Sequence, residues 1–187
     1  MNVELDFRYV TDGGWEDFAD IPYDTDDAQV MAYDENQRGR VAAFQPGGPY
    51  ALMLAGHNLT MQVGDTVFVH GGILSSHAEA GLETINADVQ AWMRGETGPP
   101  DTWIHSSTAP VWTRDYSDDP DSSDCAELTA TLEILGASRM VVGHTVQDVA
   151  NPACDGKVWL MDVGMADYYG GSPAALQIMD SEVTLLE

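Results

Sequence analysis

Two histidines of this chain are built into the same setting. In "TVFVHGGI" (66–73) three β-formers run into His70 and then into two glycines, and in "RMVVGHTV" (139–146) a β-branched run passes one glycine and ends on His144. The sequence holds only five histidines, so two that close apolar strands beside glycine form a pattern. In α/β sheets ligands collect at the carboxyl ends of strands, where loops converge. Neutral imidazoles held there suit a divalent transition metal, and the glycines would leave room for the ion or its substrate. Taken singly, each reads first as a strand-end histidine satisfied by a backbone carbonyl; it is the pair that raises the metal reading beside it. Arg114, in "PVWTRDY" (110–116), is one of seven cations and could offer its planar donors bidentately to a phosphate. Its alternative is a salt bridge to one of many nearby carboxylates. Asp162, before glycine in "LMDVGM" (160–165), could orient a ligand histidine from behind or cap the turn that follows. "DYYGGSPAAL" (167–176) brings aromatics and glycines to the same end of a sheet, as a cleft wall or a plain loop. His57 and His77 read as surface residues, and the role of His105 in "WIHSS" stays open.

The elements that must place these residues are legible in outline. The first 27 residues read as an opening segment and loop, and 26–44 predicts a helix interrupted near Gly39. A turn at 45–50 leads to a short helix over 51–56. "LTMQVGDTVFVHGG" (59–72) predicts two strands joined by Gly64-Asp65, a two-residue hairpin signal. Over 75–96, Leu82, Ile85, Val89, Trp92 and Met93 fall at helical spacing, with a serine at the start and Gly95 at the end. Residues 97–110 and 115–124 read as loops. A second amphipathic helix is expected over 125–137 with Gly136 as its stop. Strands are expected at 139–144, 157–164, 174–180 and 182–187. The pattern is α/β or α+β in one unit, with no repeat, low-complexity tract or interdomain linker.

Composition narrows the partners. Thirty-one acidic residues against seven basic ones give a net charge of −24. Such a surface repels polyanions, so neither a nucleic-acid nor a membrane partner is expected; a solvated, salt-tolerant surface fits better. At 44% hydrophobic, with five Trp and seven Tyr, the chain is not disordered. No apolar window reaches membrane-spanning length. Cys125 and Cys154 have neither CxxC nor metal-finger spacing, and whether they pair stays open. "MNVELDFRYV" lacks the basic region and apolar run of a signal peptide, which makes a cytoplasmic location the default.

Taken together, "VFVHGGI", "GLETINADVQAWMRGE", "PVWTRDY", "VVGHTV" and "MDVGMADYYGGSPAALQI" resemble the C-terminal half of calcineurin-like metallophosphoesterases in the phosphoprotein phosphatase superfamily, nearest the Shewanella-like branch. The resemblance implies a β-sandwich flanked by helices and two divalent ions (Mn, Fe or Zn) at the strand ends. It implies hydrolysis of phosphomonoesters, in proteins or small molecules, by a metal-bridging hydroxide. It implies that His70 and His144 bind the same one of the two ions and that Arg114 meets the substrate phosphate. Diadenosine-tetraphosphate hydrolases are the related alternative for substrate. The resemblance also implies a deficit. The family's GDxHG, GDxxDRG and GNHE motifs supply the bridging aspartate, most remaining ligands and the general acid, and the sequence contains none of them. In relatives the segment matching "MNVELDFRYV" follows GNHE directly. Residues 1–187 are therefore expected to form a single partial domain, with any signal peptide on the first half. Two histidines offer open coordination, so at most one weakly bound ion and little or no phosphatase activity are expected. Uncovered sheet surfaces would favour self-association or partner pairing, which gives a rival reading as a non-catalytic, partner-binding module. Without the family, the residues describe an acidic α/β protein with one mononuclear histidine site.

Overall fold

The structure is a computed structural model that describes residues 1–179 and 182–186. The chain divides into two compact units, residues 1–58 with 87–99 and residues 59–86 with 100–187. No helix among the described residues is long and apolar enough to cross a membrane.

The first unit is helical. It contains α1 (Asp12–Glu16), α2 (Ala28–Met31), α3 (Glu35–Phe44) and α4 (Pro49–Leu54). The helix expected over 26–44 is in fact two, and the break falls at 32–34 rather than at Gly39. Asp27 caps α2 by accepting the Gln29 and Val30 N–H groups, and Asp34 with Gln37 forms a reciprocal capping box at the start of α3. Each start signal opens its own helix. Gly39 lies inside α3, and the position requires glycine because a β-carbon there would run into the Phe18 carbonyl oxygen. Phe18, Ala43 and Phe44 form one small core and Val30, Val41 and Ala42 another.

The second unit is a mixed sheet with helices. Its strands are β1 (Thr60–Val63), β2 (Thr66–Val69), β3 (Arg139–Val142), β4 (Asn151–Ala153) and β5 (Val158–Leu160). They lie in the order β1-β2-β3-β5-β4, with β2, β3 and β5 parallel and both edge strands antiparallel. The predicted hairpin joins β1 to β2, and Gly64 takes the left-handed backbone (φ +59°) that its turn requires. The Asp65 carboxylate then holds Arg139 at 3.0 Å, tying this turn to the start of β3. The helices that follow are α5 (Ser75–Ala80), α6 (Leu82–Met93), α7 (Asp101–Ile104) and α8 (Ser122–Leu135), of which α6 belongs to the first unit from residue 87 on, and β6 (Ala175–Met179) pairs with β7 (Glu182–Leu186) as a separate antiparallel ribbon. The single helix expected over 75–96 is broken at Gly81, whose φ of +92° no helix accommodates. α7 lies within the segment read as loop. α8 starts at Ser122, ahead of its apolar pattern, because Asp121 accepts the Ser123 and Asp124 N–H groups; it stops at Gly136 as expected.

One sheet face is closed. Val67, Val69, Met140, Val142, Val158 and Leu160 pack with Leu128 and Leu132 of α8 and with Tyr116, whose hydroxyl donates to the Ile73 carbonyl at 3.0 Å. Cys125 on α8 and Cys154, just ahead of β5, form a disulfide with Cα atoms 5.2 Å apart, which answers the question the sequence left open. On the opposite face the register sets Met61, Phe68, Val141, Trp159 and Pro152 side by side across all five strands. None of the five is buried. Parallel strands are ordinarily covered on both faces, so this row is exceptional.

His77 corrects the sequence reading. It is 4% exposed, its Nδ1 accepts the Leu74 N–H at 3.2 Å, and its ring lies 5.8 Å from that of Trp103. Burial pushes its pKa below the usual 6.5, while the Glu127 carboxylate pulls the other way. With the folded pKa depressed, the unfolded chain binds the proton first. Stability from this residue is full above about pH 6.5 and is lost as pH falls through the folded value. The urea midpoint is expected to drop between about pH 7.5 and 5, and less so in His77→Gln. Equal slopes in variant and wild type would refute this.

Candidate active site

Because β2 and β3 are parallel neighbours, their carboxyl ends meet at one edge. That brings the predicted histidines together: His144 Nδ1 lies 3.1 Å from His70 Nε2, with ring centroids 4.8 Å apart. The Gly143 N–H donates to the His70 carbonyl at 2.9 Å, extending the ladder to the residue before His144. Thr145 N–H then donates to the Gly143 carbonyl at 2.7 Å, closing a three-residue turn around His144. His144 has a left-handed backbone (φ +66°). A residue with a β-carbon is strained there, and such strain concentrates at functional positions.

Both rings are shifted toward the neutral form. Burial lowers the pKa of His70, with the Asp162 charge opposing and the Arg114 charge assisting. Burial, Arg114 and His70 lower that of His144, against a hydrogen bond from its ring to the Trp112 backbone carbonyl and the Asp162 charge. A neutral imidazole keeps a lone pair for a ligand. Nitrogens 3.1 Å apart can both reach one ion at the usual ~2.0–2.1 Å of an imidazole–zinc bond. The pair therefore fits as two ligands of one ion. Among the described residues no group of three or more His, Cys, Asp or Glu could hold a metal ion.

Arg114 stands beside them. It is exposed and donates to Thr145 Oγ1 at 2.7 Å and more weakly to the His144 carbonyl at 3.4 Å. Among the described residues it forms no ion pair, in a chain with 31 acidic residues. The salt bridge weighed as its alternative is not what holds it. Asp162 caps its turn, accepting the Gly164 N–H at 3.1 Å, and reaches the histidines only through its charge. The tyrosine loop folds onto that same turn, with Tyr169 against Gly164 and Tyr168 90% exposed. His105, at the C-terminal cap of α7, pairs with Asp101 at 2.5 Å, and His57 is exposed; neither joins the pair.

The glycines after His70 do something other than leave space for an ion or its substrate. Both donate to the Pro110 carbonyl, at 2.8 Å from Gly71 and 3.1 Å from Gly72. A β-carbon on Gly71 would lie 2.8 Å from the Thr113 carbonyl oxygen and 2.9 Å from that of Pro110. The absent side chains admit the 110–116 segment, which carries Arg114. Gly71→Ala is expected to destabilise the fold by about 1–3 kcal/mol through this overpacking, as read from urea unfolding; an unchanged midpoint would exclude the close approach. Trp112 was missed by sequence reasoning. Its ring stands edge-on to His144 at 5.5 Å and its Nε1 donates to the Ile104 carbonyl at 2.6 Å. Thr145 and Ser117 were missed too. The available signal was adjacency, since Thr145 follows His144 and Trp112 shares the Arg114 segment.

This architecture is shared with solved protein tyrosine phosphatases. The structure of a cold-active protein tyrosine phosphatase matches at a TM-score of 0.56 with 25% identity, over 66% of this chain and 37% of that one. The cold-active enzyme of a psychrophilic Shewanella species matches at 0.59 with 21% identity, over 83% and 46%. In sequence the chain is homologous to Shewanella-like protein phosphatase 2 of Arabidopsis thaliana, with 36% identity over the whole of this chain and 56% of the relative. An uncharacterized protein of Schizosaccharomyces pombe is 26% identical over 97% of this chain and 53% of its own length. The chain thus spans about half the length of the curated relatives it matches. No protein-family model matches it.

Proposed function

We propose that residues 1–187 carry the C-terminal part of a metal-dependent phosphomonoesterase of the calcineurin-like type, acting on phosphorylated protein. One observation carries this reading: two imidazole nitrogens 3.1 Å apart beside an arginine that pairs with no carboxylate among the described residues. His70 Nε2 and His144 Nδ1 would hold one Mn, Fe or Zn ion, and the Trp112 carbonyl would fix the His144 ring. The Arg114 N–H donors would bind phosphate oxygens and neutralise their charge. A divalent ion at such a site supplies Lewis acidity and a more acidic bound water. The relatives named as protein phosphatases support phosphoprotein over the diadenosine-tetraphosphate alternative. The two-ion reaction would need ligands that this sequence does not contain. The purified chain with Mn²⁺ is therefore expected to turn over p-nitrophenyl phosphate far more slowly than a full-length Shewanella-like phosphatase. Comparable turnover would overturn the proposed need for further ligands.

A second reading, as a partner-binding module, rests on the incompletely buried apolar row and on the β6–β7 ribbon. Leu176, Ile178, Val183 and Leu185 share one face of that ribbon, and none is buried. A monomer that binds no metal on gel filtration and metal analysis would favour this reading over the first.

A further inference from the structure

We propose that Thr145, backed by Ser117, is the positioning residue of the phosphate-binding arginine; the inference rests on the function proposed above. An exposed guanidinium in a chain of charge −24 would ordinarily find a carboxylate, yet Arg114 rests on a neutral hydroxyl. That contact and the weaker one to the His144 carbonyl hold the side chain without compensating its charge, and since both use Nη1 most of the five N–H groups are left for an anion. A carboxylate in the same place would fix the arginine equally well and repel the phosphate.

The hydroxyl is itself fixed. Thr145 Oγ1 lies 2.7 Å from Ser117 Oγ, and Ser117 is 3% exposed. Gln147 Nε2 donates at 3.0 Å to both the Ser117 and the Thr145 carbonyls, and the Gln147 N–H donates to the Asp162 carbonyl at 2.7 Å. A β-branched side chain also has little χ1 freedom to lose. The tight turn at 143–145 places the histidine ligand and the arginine's anchor on consecutive residues. Thr145 thereby sets how far Arg114 stands from the His70–His144 pair. Were Thr145 only a loop contact, its loss would lower stability and leave anion binding unchanged.

Two measurements on the purified chain test this. In the metal-free protein, ¹⁵N–¹H spectra of arginine side chains should show slow rotation of the Arg114 guanidinium, fast rotation in Thr145→Val and slow rotation again in Thr145→Ser. With Mn²⁺ added, titration with inorganic phosphate should show roughly tenfold weaker binding in Thr145→Val and near-normal binding in Thr145→Ser. Adding Thr145→Val to Arg114→Ala should cause no further loss. Equal guanidinium rotation in wild type and Thr145→Val overturns the inference whatever the anion data show. Equal phosphate affinity in the two proteins overturns it while leaving the proposed function standing. A wild-type chain that binds Mn²⁺ but no phosphate removes the function and this role with it.

Discussion

Alanine at position 144 is expected to weaken binding of Zn²⁺ or Mn²⁺ by about a hundredfold or more, and alanine at position 70 to do the same. Loss of groups that merely orient a ligand costs about 10–100-fold, and here a ligand itself is lost from a set of two. The remaining imidazole would hold the ion through one nitrogen. Asp162→Asn should be milder, roughly tenfold, because that carboxylate acts on the rings only through its charge. The backbone supplies a control that separates ligation from folding. An L-residue at the left-handed His144 position costs about 1–2 kcal/mol, and glycine escapes most of that. His144→Gly should therefore lose the metal as fully as His144→Ala while unfolding at higher urea, by about 1 kcal/mol. Calorimetric titration and urea unfolding of the three variants read both effects. Wild-type affinity in His144→Ala would show that the ion binds elsewhere.

Reducing the Cys125–Cys154 bond is expected to cost about 3–4 kcal/mol. The bond closes a loop of 29 residues, and the entropy withheld from the unfolded chain by a loop of that length is of this size. The closed segment holds β3, His144 and β4, and its two ends anchor α8 to the turn before β5. For a chain of this length the melting temperature should fall by about 10 °C on adding dithiothreitol, or in the double Cys→Ser variant. A shift below about 2 °C would mean that the two ends are held as firmly by packing alone.

Local signals in the sequence were sound where a single residue type decides the backbone. Gly64-Asp65 gave the hairpin, Gly136 the end of α8, and the two β-runs ending in histidine gave neighbouring strand tips. Signals failed where a distant partner decides. Gly39 looked like a helix interruption, yet its role is to admit the Phe18 carbonyl. Gly81 lies ahead of the apolar positions Leu82 to Met93, which all belong to α6, so their spacing said nothing about the break at its N-terminal side. The glycines beside His70 suggested room for a ligand, whereas the 110–116 segment fills that room. His77 has the composition of a surface helix start and is buried all the same. The hydroxyl under Arg114 comes from a residue 31 positions away, a distance over which no local pattern operates.

The parallel pairing of β2 with β3 also has a kinetic side. Thr66 and Arg139, paired at its start, are 73 residues apart, and long-range pairings of this kind form slowly because the connecting chain must first be closed. The Cys125–Cys154 bond offers no shortcut, since both cysteines lie on the same side of β2 and the path through the cross-link is as long as the chain itself. The two histidines can meet only after this step. Metal uptake during refolding would therefore report the completion of the sheet rather than its beginning.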